Sequence, residues 1–180
     1  MFAPRAVSDR VVLRVLRPSD VDALTAAYRR NRAHLAEWEP ERTDDFFSRD
    51  GQTIDLANRL QAQESGDGFA FGLFDGAANV GRFNLTGVVR GPFQSAGLGY
   101  WVDVDYEGQG LASATVRAIV EFARDGLGLH RIEASTLLHN VGSQRVLAKA
   151  GFEQIGMAPA YLQIAGRWQD HNLYQVVLHR

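Results

Sequence analysis

Cysteine is absent from all 180 residues. That absence excludes disulfide bridges, thiolate metal ligands and a cysteine nucleophile together. It agrees with a reducing compartment without requiring one. No apolar run approaches membrane-spanning length, and Met1-Phe2-Ala3-Pro4-Arg5 has no apolar signal core. The cytoplasm is therefore the expected location, with no membrane partner. A charge excess is missing too: 19 Lys and Arg against 21 Asp and Glu leave a formal net charge of −2, which argues against a nucleic-acid partner. No metal is expected.

What is present suits one ordinary soluble domain. Hydrophobic residues make up 46% and charged residues 22%, and the length is enough for a sizeable single core. Val11 to Leu16 reads as a strand, followed by a helix capped at Ser19 or Asp20 and running to about Tyr28. Asn31 to Trp38 reads as a short helix, Glu41 to Gly51 as a loop and Gln52 to Glu64 as a third helix. Arg29, Arg30 and Arg32 read as a solvated basic face. Trp38, Phe46 and Phe47 suit the core, with a pocket wall as the alternative. Strands follow at Phe69 to Phe74, Ala77 to Val89 and Ser95 to Asp103. After a long helix come a strand at Arg131 to Leu137, a helix at Val141 to Lys149, and two closing strands joined at Ala165-Gly166. The order implies an α/β sandwich with a sheet of mixed strand direction.

The organising stretch runs from Gly99-Tyr100-Trp101 through Val102, Asp103 and Val104 to Glu107-Gly108-Gln109-Gly110-Leu111-Ala112-Ser113. It reads as strand, glycine turn and helix start. Leu111, Ala112, Val116, Ile119, Val120 and Ala123 give the helix one apolar face. Gly108 and Gly110 leave backbone N–H groups unshielded at its N-terminus, where orphan donors and a partial positive charge suit a pyrophosphate. The Rossmann pattern G-x-G-x-x-G is absent, and no Gly-Lys-Ser/Thr of a P-loop follows. A second stretch, His139-Asn140-Val141-Gly142-Ser143 to Lys149-Ala150-Gly151-Phe152, sits where a strand passes into a helix. Asn140 there suits a helix cap.

Together the two stretches resemble the GNAT N-acetyltransferase superfamily, and within it the branch that holds the ribosomal-protein N-terminal alanine and serine acetyltransferases. The resemblance covers most of the chain and is strongest from Gly99 to Phe152. It implies the GNAT acyl-CoA N-acyltransferase fold: an α/β domain with a mixed, mostly antiparallel sheet, flanking helices and a splayed strand pair. It also implies direct transfer of the acetyl group of acetyl-CoA to a primary amine. On that likeness Val102, Asp103 and Val104 pair with the pantetheine arm. Gly108, Gln109, Gly110, Leu111, Ala112 and Ser113 hold the pyrophosphate. Asn140 lies near the pantetheine, and Ser143 is the cofactor-side residue expected to act as general acid toward the departing thiolate. Trp38, Asn84 and Tyr100 are acceptor-site candidates by placement. The state is a monomer or a homodimer built on the closing strands.

Two departures from the family pattern bear on the acceptor. Glu107 stands where Gln or Arg is usual, and Gly97 stands where many relatives carry a glutamate. The strand pair thus lacks its carboxylate base, leaving His130 and His139 as possible substitutes. An α-amine with a pKa near ~8 needs less help than a lysine near ~10.4. The expected acceptor is therefore an N-terminal α-amine of a protein or peptide. A detoxifying acetyltransferase of an antibiotic, peptide-like toxin or polyamine is the alternative, and a non-catalytic acyl-CoA-binding module is the second.

Overall fold

The structure is a computed structural model and describes residues 2–179. One sheet holds eight strands: β1 (Arg5–Ala6), β2 (Val11–Val15), β3 (Gly68–Asp75), β4 (Ala78–Val89), β5 (Ser95–Val102), β6 (Arg131–Leu137), β7 (Glu153–Ile164) and β8 (Arg167–Val177). The helices are α1 (Val21–Arg30), α2 (Arg32–Leu35), α3 (Arg49–Ser65), α4 (Leu111–Asp125) and α5 (Val141–Lys149). Strand order is β1-β2-β3-β4-β5-β6-β8-β7, antiparallel throughout except for the parallel pair β5–β6.

Alternation along the strands feeds two cores. Phe71, Leu73, Phe83 and Leu85 are buried with Ile132 against Leu111, Val116 and Ile119 of α4. Residues one step along, such as Ala70, turn to the opposite face and pack with Leu24 of α1 and Leu56 of α3. A third cluster joins Ala27, Tyr28, Leu35 and Trp101, with Phe46 and Phe47 against it. The helix ends follow local chemistry. Ser48 caps α3 by accepting the Gly51 amide at 3.0 Å, and Gly66 closes it in the left-handed region.

The strand and helix order expected from the sequence is observed, with differences in detail. The expected loop from Glu41 to Gly51 holds a 3-10 helix at Asp44–Phe47 and the start of α3 at Arg49, and α2 covers only Arg32–Leu35 of the expected Asn31 to Trp38. β1 is only two residues long, too short for any periodicity to register. β5 stops at Val102, because Val104–Tyr106 turn into a 3-10 helix. Arg29 and Arg30 of α1 and Arg32 of α2 are exposed, as expected, and each also has a protein partner. Arg29 donates to the Phe47 carbonyl, Arg32 pairs with Asp44, and Arg30 reaches Asp103.

Candidate active site

The parallel pair that positions the site is short. β5 meets β6 only at Ser95↔Arg131, Ala96↔Ile132 and Gly97↔Glu133. Beyond Gly97 the two strands part, leaving the β5 edge from Leu98 to Val102 without a β6 partner. A cleft of about 540 Å³ opens at this split. Its walls are β5, the turn before α4, the start of α5, and α2 with Trp38.

The glycine turn forms the deep end. Gly108 and Gly110 adopt positive φ of 72° and 78°, a region costly to residues with a Cβ. Gly110 caps α4 without any side-chain bond, and the first intrahelical amide is that of Ala114, donating to the Gly110 carbonyl. The amides of Leu111, Ala112 and Ser113 are therefore the helix's orphan donors at the cleft wall. Among the described residues no acidic side chain lies in the first turn of α4. The donor set fits a pyrophosphate.

Asp103, which follows β5, anchors this turn from beneath. Its carboxylate is fully buried. Its Oδ2 accepts from Arg30 Nε at 2.7 Å and Asn31 Nδ2 at 2.8 Å, and its Oδ1 from the Asp105 amide at 3.1 Å. Burial opposes ionisation, but the bonds from Asn31, Arg30 and that amide outweigh it and hold the carboxyl below its usual range. The Asp103 amide donates to the Val80 carbonyl at 3.0 Å, and the Val104 amide to Asn31 Oδ1 at 3.0 Å. Neither amide is free for a ligand, which corrects the expectation that Asp103 and Val104 extend the open strand edge. Val102 remains on the cleft wall.

Where α5 begins, Asn140 is the cap, accepting the Ser143 amide at 3.0 Å. Ser143 Oγ and the Tyr100 hydroxyl share a hydrogen bond of 2.8 Å. Tyr100 lies flat on Phe83, with ring centroids 5.1 Å apart. Burial pushes its hydroxyl up to about 12, against the opposing effect of Ser143, so it stays protonated. Arg145 and Lys149 line the same cleft further along α5. Their four-residue spacing from Val141 puts all three on one helical face, a signal that the sequence reading left unused.

The opposite wall is α2 and the residues after it. His34 Nε2 lies 3.2 Å from Glu107 Oε1, so the unusual turn carboxylate faces a histidine. Trp38 lines the cleft with its ring 5.5 Å from that of His139, and His139 Nε2 is 3.5 Å from Glu37. Phe46 and Phe47 pack in the core as expected, whereas Trp38 takes the pocket alternative. Gln109 does not line the cleft; its side chain donates to the Asp105 carbonyl at 3.1 Å. Asn84 also lies outside, in a separate cavity of about 90 Å³ beside Arg59 and Thr86. His130 sits at the start of β6 and does not line the cleft either.

A sheet split at one parallel pair, with a helix N-terminus at its end, is the arrangement that the resemblance to acyl-CoA N-acyltransferases implies. The model of the acetyltransferase (GNAT) domain matches residues 10–153. The [ribosomal protein uS5]-alanine N-acetyltransferase of Escherichia coli is 35% identical over 171 residues, 94% of this chain and 88% of that protein. Among solved structures, ribosomal-protein-S5-alanine acetyltransferase from Vibrio fischeri superposes with a TM-score of 0.93 at 30% identity, covering 98% of this chain and 97% of that one. Mycobacterium smegmatis RimJ, in complex with CoA-disulfide, gives 0.88 at 29% identity, covering 93% and 81%. The chain belongs to the GNAT acetyltransferase family and is an acetyl-CoA-dependent N-acetyltransferase.

Proposed function

We propose that the acceptor is the N-terminal α-amine of a protein or peptide. The observation that carries this reading is the 35% identity, over nearly the whole chain, to an enzyme named for acetylating the alanine of a ribosomal protein. The likeness covers 94% of this chain, well beyond the glycine turn. The chemistry of the amine supports it independently. With Gly97 in place of a strand carboxylate, an amine of pKa near ~8 is easier to use than a lysine near ~10.4.

Acetyl-CoA supplies an acyl carbon activated as a thioester. The orphan amides of Leu111, Ala112 and Ser113, with the turn at Gly108 and Gly110, hold its pyrophosphate through backbone donors. The unpaired edge of β5 up to Val102 receives the pantetheine arm, while Arg145 and Lys149 add positive charge at the cleft wall. Asn140 fixes the first turn of α5 and so the position of Ser143. The Ser143 hydroxyl, held by the Tyr100 hydroxyl 2.8 Å away, gives its proton to the leaving sulfur, while the proton lost by the attacking nitrogen passes to solvent, from which Ser143 is restored. Trp38 and Tyr100 border the acceptor side.

The test is release of free CoA with a thiol reagent, over a panel of peptides with Ala, Ser or Met N-termini, an Nα-blocked lysine peptide, aminoglycosides and polyamines. The chain has no cysteine and adds no thiol background. Release with one class of peptide N-terminus is expected. Release only with a small amine overturns the reading in favour of detoxification.

A further inference from the structure

The residues of α2 meet the turn before α4 at two points. Asn31, the N-cap residue of α2, donates through Nδ2 to Asp103 Oδ2 at 2.8 Å and accepts the Val104 amide at 3.0 Å. His34, three residues on, places Nε2 3.2 Å from Glu107 Oε1. Positions three apart share a helix face, so one face of α2 lies along the segment from Asp103 to Glu107.

The backbones on both sides of the second contact are anchored. The Leu35 amide donates to the Asn31 carbonyl at 2.8 Å, and the Leu35 side chain is buried with Tyr28 and Trp101. Across from it, the Glu107 amide donates to the Val104 carbonyl at 3.4 Å and closes the 3-10 helix at Val104–Tyr106.

Glu107 directly precedes Gly108, and His34, Glu107, Gly108 and Gly110 all line the cleft. A carboxylate there stands near a ligand that carries several negative charges, so its cost depends on where its oxygens are held. Among the described residues His34 is the basic side chain within 4.0 Å of it. Arg145 and Lys149, the cations that line the cleft from α5, form no ion pair with it among those residues.

We propose that His34 is a positioning residue for the cofactor: it holds the Glu107 carboxylate at the α2 wall and so keeps that charge off the pyrophosphate seat. This rests on the reading of the glycine turn as that seat. With a proton on Nε2 the ring offers the carboxylate a donor, and doubly protonated it offsets the charge as well. Released from His34, the carboxylate is drawn by the partial positive charge of the α4 N-terminus. There it repels the ligand's oxygens and competes with them for the orphan amides.

The test is calorimetric titration of acetyl-CoA into wild type, His34→Ala, Glu107→Gln and the double variant at low salt. His34→Ala is expected to weaken binding by about 3-fold, in the range of a partly exposed charged contact. In the Glu107→Gln background the same substitution should cost nothing, because no carboxylate is left to place. His34→Gln, which sets an amide N–H near the place of Nε2, should restore the wild-type affinity. No loss in His34→Ala, or the same loss in both backgrounds, overturns the proposal. If His34→Ala does not fold, His34→Asn, whose amide is too short to reach, must show the loss that His34→Gln does not. Equal binding by those two variants overturns the proposal. S-acetylpantetheine, which has no pyrophosphate, separates the reading beneath. A wild type that binds it as tightly as acetyl-CoA defeats the pyrophosphate seat and the proposal together. Equal losses in both backgrounds, with acetyl-CoA still preferred, defeat the proposal alone.

Discussion

The guanidinium of Arg30, at the last turn of α1, lies 2.7 Å through Nε from the fully buried carboxylate of Asp103 at the end of β5. The pair joins the helix layer next to the α2 wall to the turn that precedes α4. Arg30 also donates to the Asn79 carbonyl at 3.0 Å, so a single side chain ties α1, β4 and the β5 end together.

Arg30→Ala leaves that carboxylate buried with Asn31 and one amide as its remaining partners. A loss of about 2–3 kcal/mol is expected, below the full figure for a broken buried pair because Arg30 is itself 40% exposed. The folded-state carboxyl is depressed, so its stabilisation is present above the unfolded value near ~3.9 and is lost as pH falls through the folded value. Urea melts should therefore show the full Arg30→Ala penalty at pH 6 and a shrinking one below about pH 4. A penalty that does not change with pH would place its origin in packing instead.

Ser143→Ala and Tyr100→Phe each remove one end of the 2.8 Å hydroxyl pair. Each is expected to lower kcat by about 10-fold or more, with little change in acetyl-CoA affinity. Because the two hydroxyls act in series, the double variant should be no slower than the worse single one. Unchanged turnover in Ser143→Ala would remove that hydroxyl from the mechanism.

Glu107 offers a cleaner electrostatic test. Its carboxylate is at the glycine turn before α4, faced by His34 at 3.2 Å. Glu107→Gln removes a negative charge near a polyanionic ligand and should tighten acetyl-CoA binding by about 2- to 5-fold at low salt. The side chain is 56% exposed, so the gain should fade as ionic strength rises towards 0.5 M. Calorimetric titration at two salt concentrations reads it directly.

Much of the framework is legible from local pattern. The α4 face, the β6 and α5 ranges, the Asn140 cap and the paired glycines of the turn before α4 all depend on residues within a few positions of one another. Local sterics and caps decide them. The end of β5 is where local reading fails. Val102-Asp103-Val104 has strand-forming valines, yet Asn31, over seventy residues away in sequence, accepts the Val104 amide and turns the chain.

What the sequence by itself determined is the class of chain and the glycine turn: a cysteine-free α/β domain with an apolar-faced helix opening on Gly108 and Gly110. Only the tertiary structure decided the polar partners. Tyr100 with Ser143, Arg30 with Asp103, His34 with Glu107, and Arg82 with Asp55 all join distant segments. The physical reason is range. Periodicity and capping act over one or two helical turns, whereas a hydrogen bond between distant side chains exists only after the core has closed the chain between them.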